Sequence, residues 1–500
     1  MLTEPLDAAD RELLQAVHPP EWQNPAPRNP YDLVVIGGGT AGLVSAVGAA
    51  GLGARVALIE RDLLGGDCLN TGCVPSKAII RSARAADSAR RAGAFGVTAG
   101  RVETDFGVVM KRMRERRARL AAHDSARRLQ QLGVDVFLGA GGFTSRESIN
   151  VSGSTLMFSR AIIATGGRPA VPPIPGLQDG PFLTSETVFS LTALPRRLLV
   201  IGGGPIGCEL AQAFAAFGSA VTVLDQAARM LGNDDPDAAA IVQQRLAGDG
   251  VSLLLGSRLL RASYAQSEWQ LTYVSRNGDG ESEARGDALL VAAGRIPNLE
   301  PLELPRADVE YSKVGVTVDD HLRTSNRRIF AAGDVCSAFK FTHAADALAR
   351  IALTNALFFG RRRASALVVP WCTYTTPELA HVGLSEHEAR DRGDQVTTLT
   401  VPFAEIDRAV LDDETDGFVR LHHQRGRILG CTIVGPNAGE LISHAALAIN
   451  RRGTLGELSA TIYPYPTLSD AFKKAGDAHR RSSLTPRLRR WLTRYFDWTR

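Results

Sequence analysis

An α/β fold built on two nucleotide-binding units and followed by an α+β domain is predicted by three features of this 500-residue chain. First, a β-branched run, Leu33–Ile36, passes directly into Gly37-Gly38-Gly39-Thr40-Ala41-Gly42 and a helix of small residues. Second, the pattern returns as Leu198–Ile201, then Gly202-Gly203-Gly204-Pro205-Ile206-Gly207, then CELAQAFAAFG. In both copies the next apolar strand ends in an acid, Glu60 or Asp225, at the same interval from the first glycine. Third, the texture changes after about residue 370. There GFVRLHH, a turn at Gln424–Arg427 and ILGCTIVG read as an antiparallel pair, followed by helices from about 437 to 452.

Composition narrows the function. At roughly 150 residues per domain the length suits about three domains. Lys plus Arg number 57 against 53 acids, a net charge of +4, which argues against a nucleic-acid binder driven by bulk charge. The start, MLTEPLDAADRELLQ, lacks the apolar core of a secretory signal, so a cytoplasmic location is expected. Six cysteines are too few for a disulfide scaffold.

Residues 1–30 read as an arm or linker, because HPPEWQNPAPRNP is proline-rich and favours extended backbone. The Arg- and Ala-rich stretch 81–130 predicts long solvated helices rather than a nucleic-acid surface. Residues 481–500 form a basic amphipathic tail, with Leu484, Leu488, Trp491, Leu492, Tyr495 and Phe496 on one face. The tail is expected to pack on the body of the protein, with peripheral membrane contact as the alternative.

Each glycine-rich loop has the context that gives the motif a mechanism: a strand before it, a helix after it, and an acid about twenty residues on. The glycines let backbone approach a pyrophosphate at the helix N-terminus, and the acid accepts from ribose hydroxyls. On this logic Gly37, Gly39, Gly42 and Glu60 bind one dinucleotide, and Gly202, Gly204, Gly207 and Asp225 bind another. The first loop leads into a cysteine pair, so its ligand is expected to exchange electrons with sulfur, which indicates FAD. Asp225 suits NADH, since a carboxylate repels a 2′-phosphate; Arg229 leaves NADPH as the alternative.

The pair is Cys68 and Cys73, in Gly65-Gly66-Asp67-Cys68-Leu69-Asn70-Thr71-Gly72-Cys73-Val74-Pro75-Ser76-Lys77. A helix is expected to start near Cys73, and a thiol there is shifted toward thiolate. Zinc ligation and a structural disulfide are the alternatives that spacing leaves open.

CLNTGCVPSK resembles the redox-active signature of the class I pyridine nucleotide-disulfide oxidoreductases, which include glutathione reductase, lipoamide dehydrogenase and mercuric reductase. The likeness runs from about 31 to 476 and includes AIIATGG, VAAGRIPN and RRIFAAGDV in the family's order. It implies two Rossmann-like domains, one for FAD over 31–170 and 296–370 and one for NAD(P) inserted over 171–295, and a C-terminal α+β dimerisation domain over 371–480 in a homodimer. It also implies roles: Cys68 as interchange thiol, Cys73 as the thiol against the flavin, and Lys77 near the flavin ring with Glu209 as its ion-pair partner. Thr165, Gly166 and Gly294 would line the cofactors, and Asp334 would bind the FAD ribityl chain. His343, in KFTHAADA, would begin a helix near the flavin.

The likeness breaks in one place. Disulfide-reducing members carry HPT-x-x-E near the C-terminus, where this chain has Tyr465-Pro466-Thr467-Leu468-Ser469-Asp470. Tyr465 replaces the proton-shuttling His and Asp470 its Glu partner, and a phenol with a pKa of about 10 is a weak base at neutral pH. The chain therefore looks like the mercuric reductase-like branch, although no cysteine follows Cys431 to form that branch's C-terminal pair. Cys208, Cys336, Cys372 and Cys431 read as core thiols. The expected activity is NAD(P)H oxidation through FAD and a Cys68–Cys73 disulfide, with a metal ion or small molecule as acceptor. A conventional disulfide reductase or dihydrolipoamide dehydrogenase, or a membrane-surface electron-transfer flavoprotein, is the alternative. No resident metal and no nucleic-acid partner are expected.

Overall fold

The computed structural model describes residues 6–500 apart from 277, 279, 359, 393, 394 and 483, so the first five residues of the arm and Ser483 of the tail lie outside it. The described chain divides into two compact units: residues 1–228 with 249–367, and residues 229–248 with 368–500.

In the first unit, Tyr31–Ile36 pairs in parallel with Val56–Glu60 on one side and Ser154–Ile163 on the other. Val134–Leu138 extends the sheet beyond Val56–Glu60, and Ile329–Ala331 returns from far along the chain to pair with Ser154–Ile163. The first two strands are continuously apolar because helices or loops cover both faces of such a sheet. A second parallel sheet has the order Ser252–Leu255, Ala220–Asp225, Arg197–Ile201, Ala288–Val291. An antiparallel sheet packs on it, placing Trp269 and Leu271 against Leu199 and Leu289. This is the mixed α/β architecture the repeated loops predict.

The N-terminal segment does more than the expected arm. Ala8–Val17 is a helix capped by Asp7, and its Leu13 and Val17 are fully buried in the core of the first unit. Asp10, also buried, pairs with buried Arg117 at 2.8 Å. The proline-rich stretch then runs along the edge strand, where Asn24 exchanges both hydrogen bonds with Leu138 and the Trp22 indole donates to the Val136 carbonyl. An edge strand needs such partners for its outward amides and carbonyls, which is why this stretch is extended.

The expected solvated helices of 81–130 include Phe106–Ala121, but one face of it is interior: Met110, Met113 and Arg117 are buried. Arginine-rich composition hides that face, because Arg117 is inside only by virtue of Asp10.

The second unit holds an antiparallel sheet in the order Trp371–Thr373, Glu378–Gly383, Arg427–Gly435, Phe418–Gln424, Thr397–Pro402. The helices Ala438–Asn450, Leu455–Ala460 and Asp470–Ser482 bury Leu441, Ile442, Leu455 and Phe472 against it. The loop and helix of residues 229–248 join this unit through their acids. The Trp371 indole donates to Asp234 at 2.8 Å, Thr432 donates to Asp235 at 2.9 Å, and Arg420 reaches both Asp235 and Asp237.

Asp10→Ala leaves the Arg117 guanidinium buried without its counter-charge. Urea titration should show a loss of about 3–5 kcal/mol. Arg117→Met combined with Asp10→Ala should recover much of it; an unchanged midpoint in the single variant would show that the pair does not hold the N-terminal helix.

Candidate active site

The loop Gly37–Gly42 owes its shape to close approach. Gly37 has φ +109°, and a Cβ on Gly42 would lie 1.7 Å from the Gly37 carbonyl oxygen, so the helix Thr40–Gly51 can seat against the strand end only as glycine allows. The second copy repeats this, with Gly202 at φ +111° and a Cβ on Gly207 2.0 Å from the Gly202 oxygen.

Glu60 accepts from the Gly38 amide at 2.5 Å and the Asp62 amide at 2.7 Å. Its burial pushes the carboxyl above the ordinary range against those two amides. Asp225 accepts from the Gly203 amide at 2.6 Å and the Ala227 amide at 2.8 Å. Each acid thus fixes its glycine loop as well as standing where a ribose would come. Neither following helix has a side-chain cap at Gly39 or Gly204, so the first-turn amides are left for a phosphate. Glycine cradle, uncapped amides and terminal carboxylate together fit a dinucleotide in both copies, and the first of them fits FAD.

Cys68 lies in the short helix Gly66–Asn70, and Cys73 is the first residue of the helix Cys73–Arg91. Both are free thiols in this structure, and Cys73 is exposed. The Cys73 thiol is pulled down to about 6, first because the Cys68 thiol donates to its sulfur, then through the Thr342 hydroxyl and the Lys77 charge, all against a burial penalty. Thr342 Oγ1 is 3.4 Å from Cys73 Sγ. Cys68 is pushed up by its hydrogen bond to Cys73 and by burial. One thiolate and one thiol are thereby sorted, with the thiolate at a helix N-terminus whose dipole favours it.

Lys77, one turn along that helix, pairs with Glu209 at 2.8 Å, and Glu209 is nearly buried. Thr165 and Asn298 lock the crossover between the two sheets: Thr165 Oγ1 donates to the Asn298 carbonyl at 2.7 Å, and the Asn298 amides donate to the carbonyls of Thr165 and Gly166. Gly294, at φ +116°, accepts from the Ala170 amide in the same crossover. Asp334 is raised by burial, opposed by Arg295, whose Nε lies 3.5 Å away.

Three residues were not singled out from the sequence. Arg295 pairs with Asp67 beside Cys68, donates to the Gly167 carbonyl at 2.8 Å and reaches Asp334, tying the cysteine loop to the crossover. Arg117 donates to the Asn70 carbonyl at 2.9 Å, so the buried pair with Asp10 braces the turn between the cysteines. Thr342 was overlooked beside His343 in KFTHAADA. The hydroxyl meets Cys73, whereas the imidazole stacks on Phe341.

In the second unit, Tyr465 is 77% exposed and its hydroxyl donates to Asp407 at 3.0 Å, which raises the phenol above its ordinary value. Asp470 lies 3.8 Å from Lys474, in the first turn of Asp470–Ser482. A phenol turned to Asp407 takes that carboxylate as its partner, and Asp470 is engaged within its own helix.

The chain matches known proteins over most of its length. A family model described as pyridine nucleotide-disulphide oxidoreductase matches residues 31–349, and one for that family's dimerisation domain matches 369–476. A mercuric reductase of Lysinibacillus sphaericus is 35% identical over 448 residues, covering 89% of this chain and 82% of that protein. A dihydrolipoyl dehydrogenase of Bacillus subtilis is 34% identical over 464 residues, covering 89% and 97%. Among solved structures, the HOCl-induced flavoprotein disulfide reductase RclA from Escherichia coli superposes with a TM-score of 0.80 at 30% identity, covering 89% of this chain and 99% of that one. A Cu(II) complex of RclA matches with the same TM-score.

Because thiolate reacts and thiol does not, alkylation of the reduced protein by iodoacetamide should rise with pH through a midpoint near the Cys73 value of about 6. Cys68→Ala and Thr342→Val each remove a donor and should move that midpoint upward. A midpoint that stays put in both variants would mean that another group sets it.

Proposed function

We propose, from the premise that this chain belongs to the pyridine nucleotide-disulphide oxidoreductases, an FAD-dependent family with NAD(P)H as substrate, that it passes two electrons from NADH to the Cys68–Cys73 pair and on to a thiophilic metal ion. FAD, when bound at Gly37–Gly42 and Glu60, supplies the step between hydride and sulfur. The observation that carries the reading is the setting of the dithiol: Cys73 opens the helix Cys73–Arg91 with the Thr342 hydroxyl 3.4 Å from its sulfur and Lys77 one turn along, a setting that lowers its pKa. Lys77 is the positive charge toward the flavin site, and Glu209 fixes its position. Thr165, Gly166, Gly294 and Asp334 take the cofactor-lining roles, and the dimerisation domain supports a homodimer. A cytoplasmic setting belongs to the same reading.

A metal ion is favoured as acceptor by the state of Tyr465. Reducing a disulfide substrate requires a proton for the leaving thiolate, and a phenol hydrogen-bonded to Asp407 is a poor shuttle for it. A metal ion takes up electrons with no such proton. The mercuric reductase relatives and the Cu(II) complex of RclA agree with this choice. The second reading, a dihydrolipoyl dehydrogenase, is favoured by the Bacillus subtilis relative.

NADH is favoured over NADPH by Asp225, whose carboxylate lies at the second loop. The Arg229 guanidinium is engaged by the carbonyls of Leu231 at 2.9 Å and Gly232 at 2.7 Å, which occupies the cation a 2′-phosphate would need.

Steady-state assays with Hg(II), Cu(II), oxidised glutathione and lipoamide should show turnover with a metal ion and little with either disulfide; rapid disulfide turnover would transfer the assignment to the second reading. Asp225→Ser, which removes a charged hydrogen-bond acceptor, should lower kcat/KM for NADH about 10- to 100-fold and narrow the preference over NADPH. Equal use of both nucleotides by the unaltered protein would remove the NADH assignment.

A further inference from the structure

The helix Pro486–Thr499 buries no residue. Trp498 is 83% exposed, Trp491 61%, Phe496 52% and Tyr495 45%, a density of bare aromatic rings found nowhere else among the described residues. At about 100° per residue, Leu484, Leu488, Trp491, Leu492, Tyr495, Phe496 and Trp498 fall within an arc of about 160°. Arg487, Arg489, Arg490, Arg494, Asp497 and Arg500 all fall on the other side. No charge interrupts the apolar arc.

The charge is as localised as the rings. Residues 480–500 hold seven arginines and one acid, a sum of +6, whereas the whole chain is +4; the other residues therefore sum to −2. The family's dimerisation-domain model matches only as far as 476, so this helix lies beyond it. A body with so little net negative charge is a poor match for a segment, residues 480–500, that sums to +6. A sheet of anionic headgroups is a good one, and the space beneath the headgroups accepts Trp and Tyr.

We propose that this helix lies in the plane of an anionic lipid surface, with the Trp491, Tyr495 and Trp498 rings below the headgroups and the arginines among the phosphates. Arginine suits both duties, since its stem covers apolar surface while its fork pairs with phosphate. None of the residues assigned to the proposed electron route lies in this helix, so the contact is separate from that route. No helix among the described residues is long and apolar enough to cross a membrane, so the attachment is peripheral.

Flotation of the full-length, flavin-loaded protein with vesicles tests this. Vesicles of phosphatidylcholine containing about 30% phosphatidylglycerol should bind it at least tenfold better than phosphatidylcholine alone, and about 0.5 M salt should release it. Each Arg→Gln change at 487, 489, 490 or 494 should weaken binding about fivefold. The triple variant Trp491→Ser, Tyr495→Ser, Trp498→Ser should lose binding while the rate of flavin reduction by NADH and the mass by light scattering stay unchanged. Equal flotation with both vesicles, or undiminished binding by the variants, would overturn the proposal. A triple variant that falls apart into monomers would overturn it too, by assigning the helix to a second copy of the chain.

Discussion

A thiolate beside a cofactor pocket must be compensated, and the compensation at Cys73 organises much of the first unit. The Cys68 thiol, the Thr342 hydroxyl and the Lys77 charge converge on one sulfur from three separate stretches of chain. Each of those groups is held in turn. Lys77 is fixed by nearly buried Glu209, which follows the second glycine loop in sequence. Thr342 opens the helix Thr342–Leu357, whose Ala349 and Ala352 are buried in the same core as Leu33 and Val35 of the first strand. The Cys68 side is held by Asp67 with Arg295 and by Asn70 with Arg117. Electrostatic sorting of two sulfurs thus depends on the long-range closure of the fold.

The repeated loops show how one local solution serves two ligands. Both use a glycine in the left-handed region, a second glycine pressed on the first, and an acid that accepts from the loop's own amide. They differ in burial: Glu60 is enclosed and Asp225 is only partly so. A ligand that stays bound suits the enclosed site, and one that must leave each turnover suits the open one, consistent with FAD at the first and a nicotinamide nucleotide at the second.

How much of this was legible in the sequence follows from the range of each interaction. The glycine loops, Glu60, Asp225 and the helix starting at Cys73 are local, so spacing and residue type were enough. The Lys77–Glu209 partnership came from resemblance, since nothing in spacing relates residues so far apart. What escaped notice was long-range and disguised by composition. Arg117 sits among five other arginines and lysines of KRMRERRARL, and only the fold shows that it is the buried one, paired with Asp10 at 2.8 Å. The helix Ala8–Val17 was read as part of an arm because its burial depends on elements a hundred residues away. Tyr465 stands out by position, but its partner Asp407 lies in the distant short helix Asp407–Leu411 and gave no sequence signal.

The central claim is that the two sulfurs form a second two-electron store next to the flavin, and anaerobic reductive titration of the purified protein measures it directly. The account predicts uptake of four electrons per bound FAD, with Cys73→Ser reducing that uptake to two while leaving the flavin bound. Two electrons per flavin in the unaltered protein, or four that persist when Cys73 is replaced, would contradict it.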